Sequence, residues 1–288
     1  MSAKSKLYLL AGLSFLAGNA MAQHICISTP NTSLVLNAPN GGELKYLYYG
    51  SKLSETDLQH INEASNCNHT AYPVYGMNCP GEAALSVKHA DGNMSTQMEV
   101  VSVSTNQEKQ STLTTVHLKD KVYPFYVDVH YKAYQDVDMI ATWTEISHTE
   151  KKPVYLSQFS SAYLPIRRGN VWLSHLSGSW ANEGQLTQEP LQPGMTVSKN
   201  KDGVRNSHTS HAEVMFSLDG KPQENTGRVI GAALCYTGNY KLKIDTDDSD
   251  YHQFYAGINE ENSSYMLSKK EVFRTPAVAL TYSDKGLS

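Results

Sequence analysis

The chain is 288 residues long, with 24 basic against 28 acidic side chains, a net charge of −4 and a sequence pI of about 6.2. No block of Lys or Arg could track a phosphate backbone, which argues against nucleic acid and anionic membrane as partners. With 40 % hydrophobic residues, the chain has material for one large all-β core or two ordinary ones.

The opening MSAKSKLYLLAGLSFLAGNAMAQ sets Lys4 and Lys6 before the apolar run Leu7 to Ala17, with small residues on both sides of Met21. That order predicts a secretory signal peptide over 1–22, cleaved after Ala22. The run is too short to span a bilayer as a permanent helix. Cys26 follows Gln23-His24-Ile25, without the small residue a lipoprotein signal needs, so no lipid anchor is expected. The mature chain, 23–288, is expected to be exported, periplasmic or secreted, and to be one domain.

The helix-like stretch Ser54 to Ala64 is polar all round and offers no face to a core. The four cysteines, Cys26, Cys67, Cys79 and Cys235, permit three pairings in an oxidising compartment. A Cys67–Cys79 bridge would close a loop rich in Asn, Pro and Gly. The other reading is four separate thiols, with Cys235 buried in the apolar run VIGAALCY. No CxxC supports a redox or zinc role.

The best-patterned segment is YPFYVDVHYKAY, where Phe125, Val127, Val129, Tyr131 and Ala133 alternate with polar or half-wet residues. Period two over that length predicts a strand with one buried and one wet face. The same reading fits TTVHLKD, DMIATWTEIS, PVYLSQFSSAYLPI, AEVMFSLDG, GRVIGAALCYTGN, NYKLKID and AVALTYSD, each taken as one strand. Gly, Asn, Asp and Pro separate them, which implies a large sandwich or stacked sheets. Tyr outnumbers Phe by 18 to 6; such rings line half-wet sheet faces or stack on sugars.

The stretch LSGSWANEGQLTQEPLQPG, Leu176 to Gly194, fits neither period and reads as a loop carrying Trp180, Glu183 and Glu189. A glycosidase needs two placed carboxylates, and these two lack a strand end to fix them. His208 and His211 have the i, i+3 spacing of metal ligands but precede a strand, with no further ligand motif near. Asp245, Asp247, Asp248 and Asp250 are the candidate oxygen ligands for Ca²⁺, although the turn Gly and distal Glu of a calcium loop are missing. The alternative for them is a solvated turn. No GxSxG, P-loop or GxGxxG occurs, so no cofactor is expected.

Several segments together carry a resemblance: YLYYGSKL (46–53), EAALSVKHADGN (82–93), LSGSWANE (176–183), GRVIGAALCYTGNYKLKID (227–245), AGIN (256–259) and EVFRTPAVALTYSDKGLS (271–288). In that order they resemble the N-terminal domain of the family 36 glycoside hydrolases, the retaining α-galactosidases of melibiose and raffinose breakdown. The resemblance implies an all-β fold, a β-supersandwich of the galactose-mutarotase type. It also implies a following (β/α)8 barrel that carries both catalytic Asp residues, in a KWD strand end and a CxSGGxRxD-like stretch. Neither motif occurs here, so no catalytic residue is assigned to this chain.

The function implied is that of a non-catalytic domain of an exported α-galactosidase, supporting the barrel, substrate access and contacts in a homo-oligomer. The α-galactoside itself would be held by the barrel. Relatives use an acidic residue after the YYG strand beside a neighbouring subunit's sugar pocket. Asp57 and Glu63 are the candidates, in a stretch that departs from the family pattern. In the 176–194 stretch the family runs Gly, one residue, Trp, one residue, Arg-Glu. Gly178, Trp180 and Glu183 match it, and Asn182 stands where the Arg would be, removing a bidentate partner for a carboxylate. Trp180 is expected to dock on the barrel or a partner subunit, or to pack within the domain. An exposed apolar patch beside Trp180 would favour docking. The alternatives are a stand-alone carbohydrate-binding domain with exposed rings, or a mutarotase-like enzyme with a His and a Glu reaching one cavity.

Overall fold

The computed structural model describes residues 23–61, 69–77, 81–166, 169–205 and 208–287. The expected signal peptide, Glu63, Cys67 and Cys79 lie outside the described residues. No helix among the described residues is long and apolar enough to cross a membrane.

In chain order the elements begin with β1 (His24–Ser28), β2 (Thr32–Asn37), β3 (Lys45–Ser51), α1 (Glu55–Gln59) and β4 (Leu85–Lys88). Four long strands follow: β5 (Met98–Gln107), β6 (Ser111–Asp120), β7 (Phe125–Tyr134) and β8 (Met139–His148). Next come β9 (Val154–Phe159), β10 (Ala162–Ile166), β11 (Trp172–Ser179), β12 (Asn182–Pro190), β13 (Gly194–Lys199) and β14 (Ser210–Ser217). The chain closes with β15 (Val229–Leu234), β16 (Tyr240–Thr246), β17 (His252–Ile258), β18 (Tyr265–Leu267), β19 (Val272–Arg274) and β20 (Val278–Ser283).

A ten-stranded sheet runs β12-β11-β14-β15-β20-β8-β7-β6-β5, with β19 added beside β8. Three smaller sheets, β1-β2-β3, β10-β17-β16-β13 and β18-β9-β4, pack on its inner face. The contacts that join the layers are specific: Phe216 of β14 meets Phe254 of β17 edge-on at 5.1 Å, and Phe159 of β9 meets Phe273 of β19 at 4.9 Å. Tyr46 of β3 and Tyr131 of β7 bring their hydroxyls to 3.3 Å inside the core. Burial pushes the Tyr46 phenol up to about 12, so the pair stays neutral and serves as a hydrogen bond. This is the β-supersandwich that the resemblance implies.

The period-two reading of β7 holds: Phe125, Val127, Val129, Tyr131 and Ala133 are all buried against the second layer. Three expectations change. PVYLSQFSSAYLPI is two strands, not one, because β9 pairs with β4 and β18 while β10 pairs with β17. At the break the Ser160 amide donates to Ala84 O and the Ser161 amide to Ala256 O, which hands the chain from one small sheet to the next. The alternation of Val154 and Leu156 slips to Phe159 at a register shift against β4, and 161–164 are buried in a row, so period two alone does not place the break. Cys235 is exposed rather than buried; Leu234 takes the inward position, and the next side chain on a strand must point outward. The helix α1 spans only Glu55–Gln59 and has no buried residue, so its capping box, not packing, holds it.

Candidate functional site

The stretch that reads as a loop is a β-hairpin, a further correction and the largest. β11 and β12 pair with Leu176 opposite Leu186 and Ser179 opposite Asn182, leaving Trp180-Ala181 as a two-residue turn. The turn needs a left-handed residue, and Ala181 takes φ 59°. Just before it, a Cβ on Gly178 would come within 2.7 Å of the Glu183 Cα, so the two strands close here only because position 178 has no side chain. Most of β12 is exposed, since it is an edge strand with water on both faces. A strand with no buried face has no period to read.

Glu183 serves the turn. Its Oε1 accepts a hydrogen bond from the Ala181 amide at 3.1 Å and lies 3.8 Å from His208 Nδ1. Glu189, at the far end of β12, stands 3.5 Å from His175 Nε2. The two carboxylates are thus placed, but at opposite ends of a strand and each beside a histidine. Trp180 projects from the tip with 83 % of its surface exposed.

Beside the hairpin, the outer face of the large sheet is recessed and apolar. A trough of about 300 Å³ has Gly231, Ala233 and Ala279 among its floor residues and Leu176, Leu186 and Met215 among its walls, with His175 and Glu213 also lining it. The floor is low because these outward positions on β15 and β20 are Gly and Ala; their inward neighbours Ile230, Ala232 and Leu280 are buried in the core. Leu186 is 54 % exposed on the wall. At the hairpin tip a polar cleft of about 400 Å³ is lined by Glu183, Gly184, Arg205, His208 and His211. His211 Nδ1 sits 2.9 Å from Glu213 Oε1, which joins the cleft to the trough.

A second polar group lies on the same sheet around β6, β7 and β8. His117 Nδ1 pairs with Asp128 at 2.8 Å, and His130 hydrogen-bonds Thr115 at 2.9 Å. His130 stacks on Trp143 at 4.9 Å, with the Arg274 guanidinium over the same indole. Burial lowers the His130 pKa against the pull of Glu145 and Asp128. Its Nε2 stands 3.8 Å from Glu145, beyond a hydrogen bond, and is itself buried.

The remaining candidates are separate from this surface. Asp57 is the N3 residue of α1, where its Oδ2 accepts from both the amide and the hydroxyl of Ser54. Asp245 is half-buried on β16, its pKa raised by burial and then by the Glu82 carboxylate. Asp247 Oδ1 accepts from the amides of Ser249 and Tyr251 in the β16–β17 turn, and Asp250 adopts φ 56° there. Asp248 lies within 3.5 Å of the Ser249 hydroxyl. Among the described residues no group of three or more His, Cys, Asp or Glu is arranged to hold a metal ion. Sequence reasoning missed Arg205 and the trough; the one available signal was Gly231, Ala233 and Ala279 at outward positions of otherwise large-residue strands.

Residues 42–268 match the glycosyl hydrolase family 36 N-terminal domain. The chain belongs to that family. Alpha-galactosidase Mel36A of Lactobacillus acidophilus is 29 % identical over 184 residues, 64 % of this chain and 25 % of that protein. Alpha-galactosidase AgaA of Geobacillus stearothermophilus is 26 % identical over 183 residues, 63 % of this chain and 25 % of its own length. The chain therefore spans about a quarter to a third of the length of the curated relatives it matches. The crystal structure of AgaA superimposes with a TM-score of 0.83 at 19 % identity, covering 92 % of this chain and 41 % of that one. The alpha-galactosidase from Lactobacillus brevis gives 0.82 at 20 % identity, with 92 % and 40 % covered. These superpositions establish the fold.

Within this family 36 N-terminal domain, each marker residue of the hairpin has a physical task. Gly178 permits the strands to close, Glu183 holds the turn, and Trp180 is what the turn presents. Asn182 pairs with Ser179 beside the turn, and Arg205 reaches the cleft beside Glu183 from the β13–β14 connection.

Proposed function

We propose that the chain is the non-catalytic N-terminal domain of an exported α-galactosidase acting on α-galactosides such as melibiose or raffinose. Its tasks are to support a catalytic barrel, to shape substrate access and to make oligomer contacts. The observation that carries this is the match of 42–268 to the family 36 N-terminal domain, with the chain aligning to a quarter to a third of the length of α-galactosidase relatives. The missing KWD and CxSGGxRxD stretches agree with it. So do the carboxylates of the hairpin, which hold a turn and face histidines instead of flanking a sugar-sized gap. The decisive assay measures turnover of an aryl α-galactoside and of raffinose by the chain alone and with a barrel polypeptide of the family added. Turnover by the chain alone would end the non-catalytic reading. Export is supported by the order of Lys4, Lys6 and the apolar run, and is checked by mass spectrometry of the mature N-terminus, expected at Gln23.

A second reading is a stand-alone carbohydrate-binding domain, favoured by the exposed Trp180 indole near a cleft that offers a guanidinium, two imidazoles and a carboxylate. Rings of this kind stack on sugars while such polar groups fix hydroxyls. Isothermal titration with galactose and raffinose decides it, since absence of heat at millimolar sugar removes this reading.

A further inference from the structure

The hairpin carries two features that fit each other but cannot meet in one molecule. Trp180 leaves the tip almost fully exposed, and the trough lies back along the same hairpin, walled by Leu176 and Leu186. Trp180 lies four positions beyond Leu176 along the hairpin, about 13 Å at the rise of a strand. We propose that the occupant of the trough is Trp180 of a second copy of this chain. The proposal deepens the oligomer contacts of the function given above and rests on that reading.

Size and chemistry favour the pairing. A trough of about 300 Å³ with Gly and Ala on its floor and Leu and Met on its walls accepts one indole, the large rigid anchor that interface centres favour. The surroundings are complementary in charge. The tip cleft gathers Arg205, His208 and His211 around one carboxylate, Glu183, which already receives the Ala181 amide, whereas the trough side carries Glu213 and Glu189, with side chains 48 % and 53 % exposed. Laid antiparallel across a two-fold axis, two hairpins put each indole over the other's trough and each Arg205 toward the other's glutamates. Such a contact is self-complementary and closes after two copies. An edge-to-edge extension of the sheet through β12 is the competing geometry. Centred on Leu186, it would set Glu183 directly opposite Glu189 of the other copy, a like-charge pair that disfavours it.

Sedimentation velocity and equilibrium on the full mature chain test the proposal. The expected result is a dimer that weakens as salt is raised, because the Arg–Glu attraction is screened. Trp180→Ala should raise the dimer dissociation constant more than tenfold, and Ala279→Leu, which fills the trough without touching the hairpin, should do the same. Arg205→Glu should weaken association and Arg205→Glu with Glu213→Arg should restore it, a rescue that neither misfolding nor general loss of solubility would produce. Far-UV circular dichroism confirms that each variant is folded. A chain that stays monomeric at all accessible concentrations would overturn the proposal, as would a dimer indifferent to both Trp180→Ala and Ala279→Leu. A trough protected from hydrogen exchange only when a family 36 barrel is added would also overturn it while leaving the proposed function standing.

Discussion

Gly178 and Glu183 face each other across the hairpin so closely that a Cβ on the glycine would lie 2.7 Å from the glutamate Cα. Because Glu183 also receives the Ala181 amide, the closure at Gly178 and the turn that presents Trp180 are one mechanical unit. Gly178→Val should pry the strands apart at the tip while leaving the core intact. Amide exchange over 176–186 should accelerate at least tenfold, and the global unfolding midpoint in urea should stay nearly unchanged. Equal acceleration across β7 and β8 would contradict this division.

Phe216 and Phe254 join the two layers, and both are fully buried. Phe254→Ala should cost about 3–5 kcal/mol by lost transfer and a new cavity, read from urea denaturation. A cost below 1 kcal/mol would mean that the ring is not a joint of the sandwich.

His130 sets an acid limit. Burial depresses its pKa in the folded chain below the ordinary value of 6.5, so the unfolded chain binds the proton more readily. Stability contributed by neutral His130 is therefore fully present above pH 6.5 and falls as pH drops through 6.5 toward the folded value. His252 is depressed in the same direction, by burial first, and adds to the slope. Stability measured between pH 7.5 and 5 should decline for the parent chain and decline less steeply for His130→Gln; identical slopes would exclude His130 as a source.

Glu261 adds a loss in the same direction at lower pH. Hydrogen bonds from Lys199 and Lys201, at 2.7 and 2.6 Å, hold its carboxyl down from 4.5 to about 2. Its contribution is present above pH 4.5 and is lost as pH falls from 4.5 through about 2. Carbon-detected titration should place the Glu261 midpoint near 2, and Lys199→Met together with Lys201→Met should bring it back near 4.5. Lys199 lies on β13, so the double variant should also loosen that edge strand, visible as faster exchange over 194–199.

Much of the molecule is written locally. The alternation of Phe125 through Ala133 determined a strand and the face it buries, because inward and outward positions there differ in polarity. Gly178, Trp180 and Glu183 marked the family without any tertiary information. What local pattern could not decide was everything set by neighbours. β17, His252–Ile258, is buried on both faces and shows no alternation, while β12 is wet on both faces and shows none either. Ser160-Ser161 divides two strands only because separate sheets claim the residues on either side. The trough exists because Gly231, Ala233 and Ala279 come side by side from β15 and β20, and Arg205 reaches Glu183 only through the chain's path after β13. The sequence by itself determined composition, the periodic strands and the family marker; which small side chains share a floor and which charges share a cleft was decided by strand order, a property of long-range pairing that no single segment encodes.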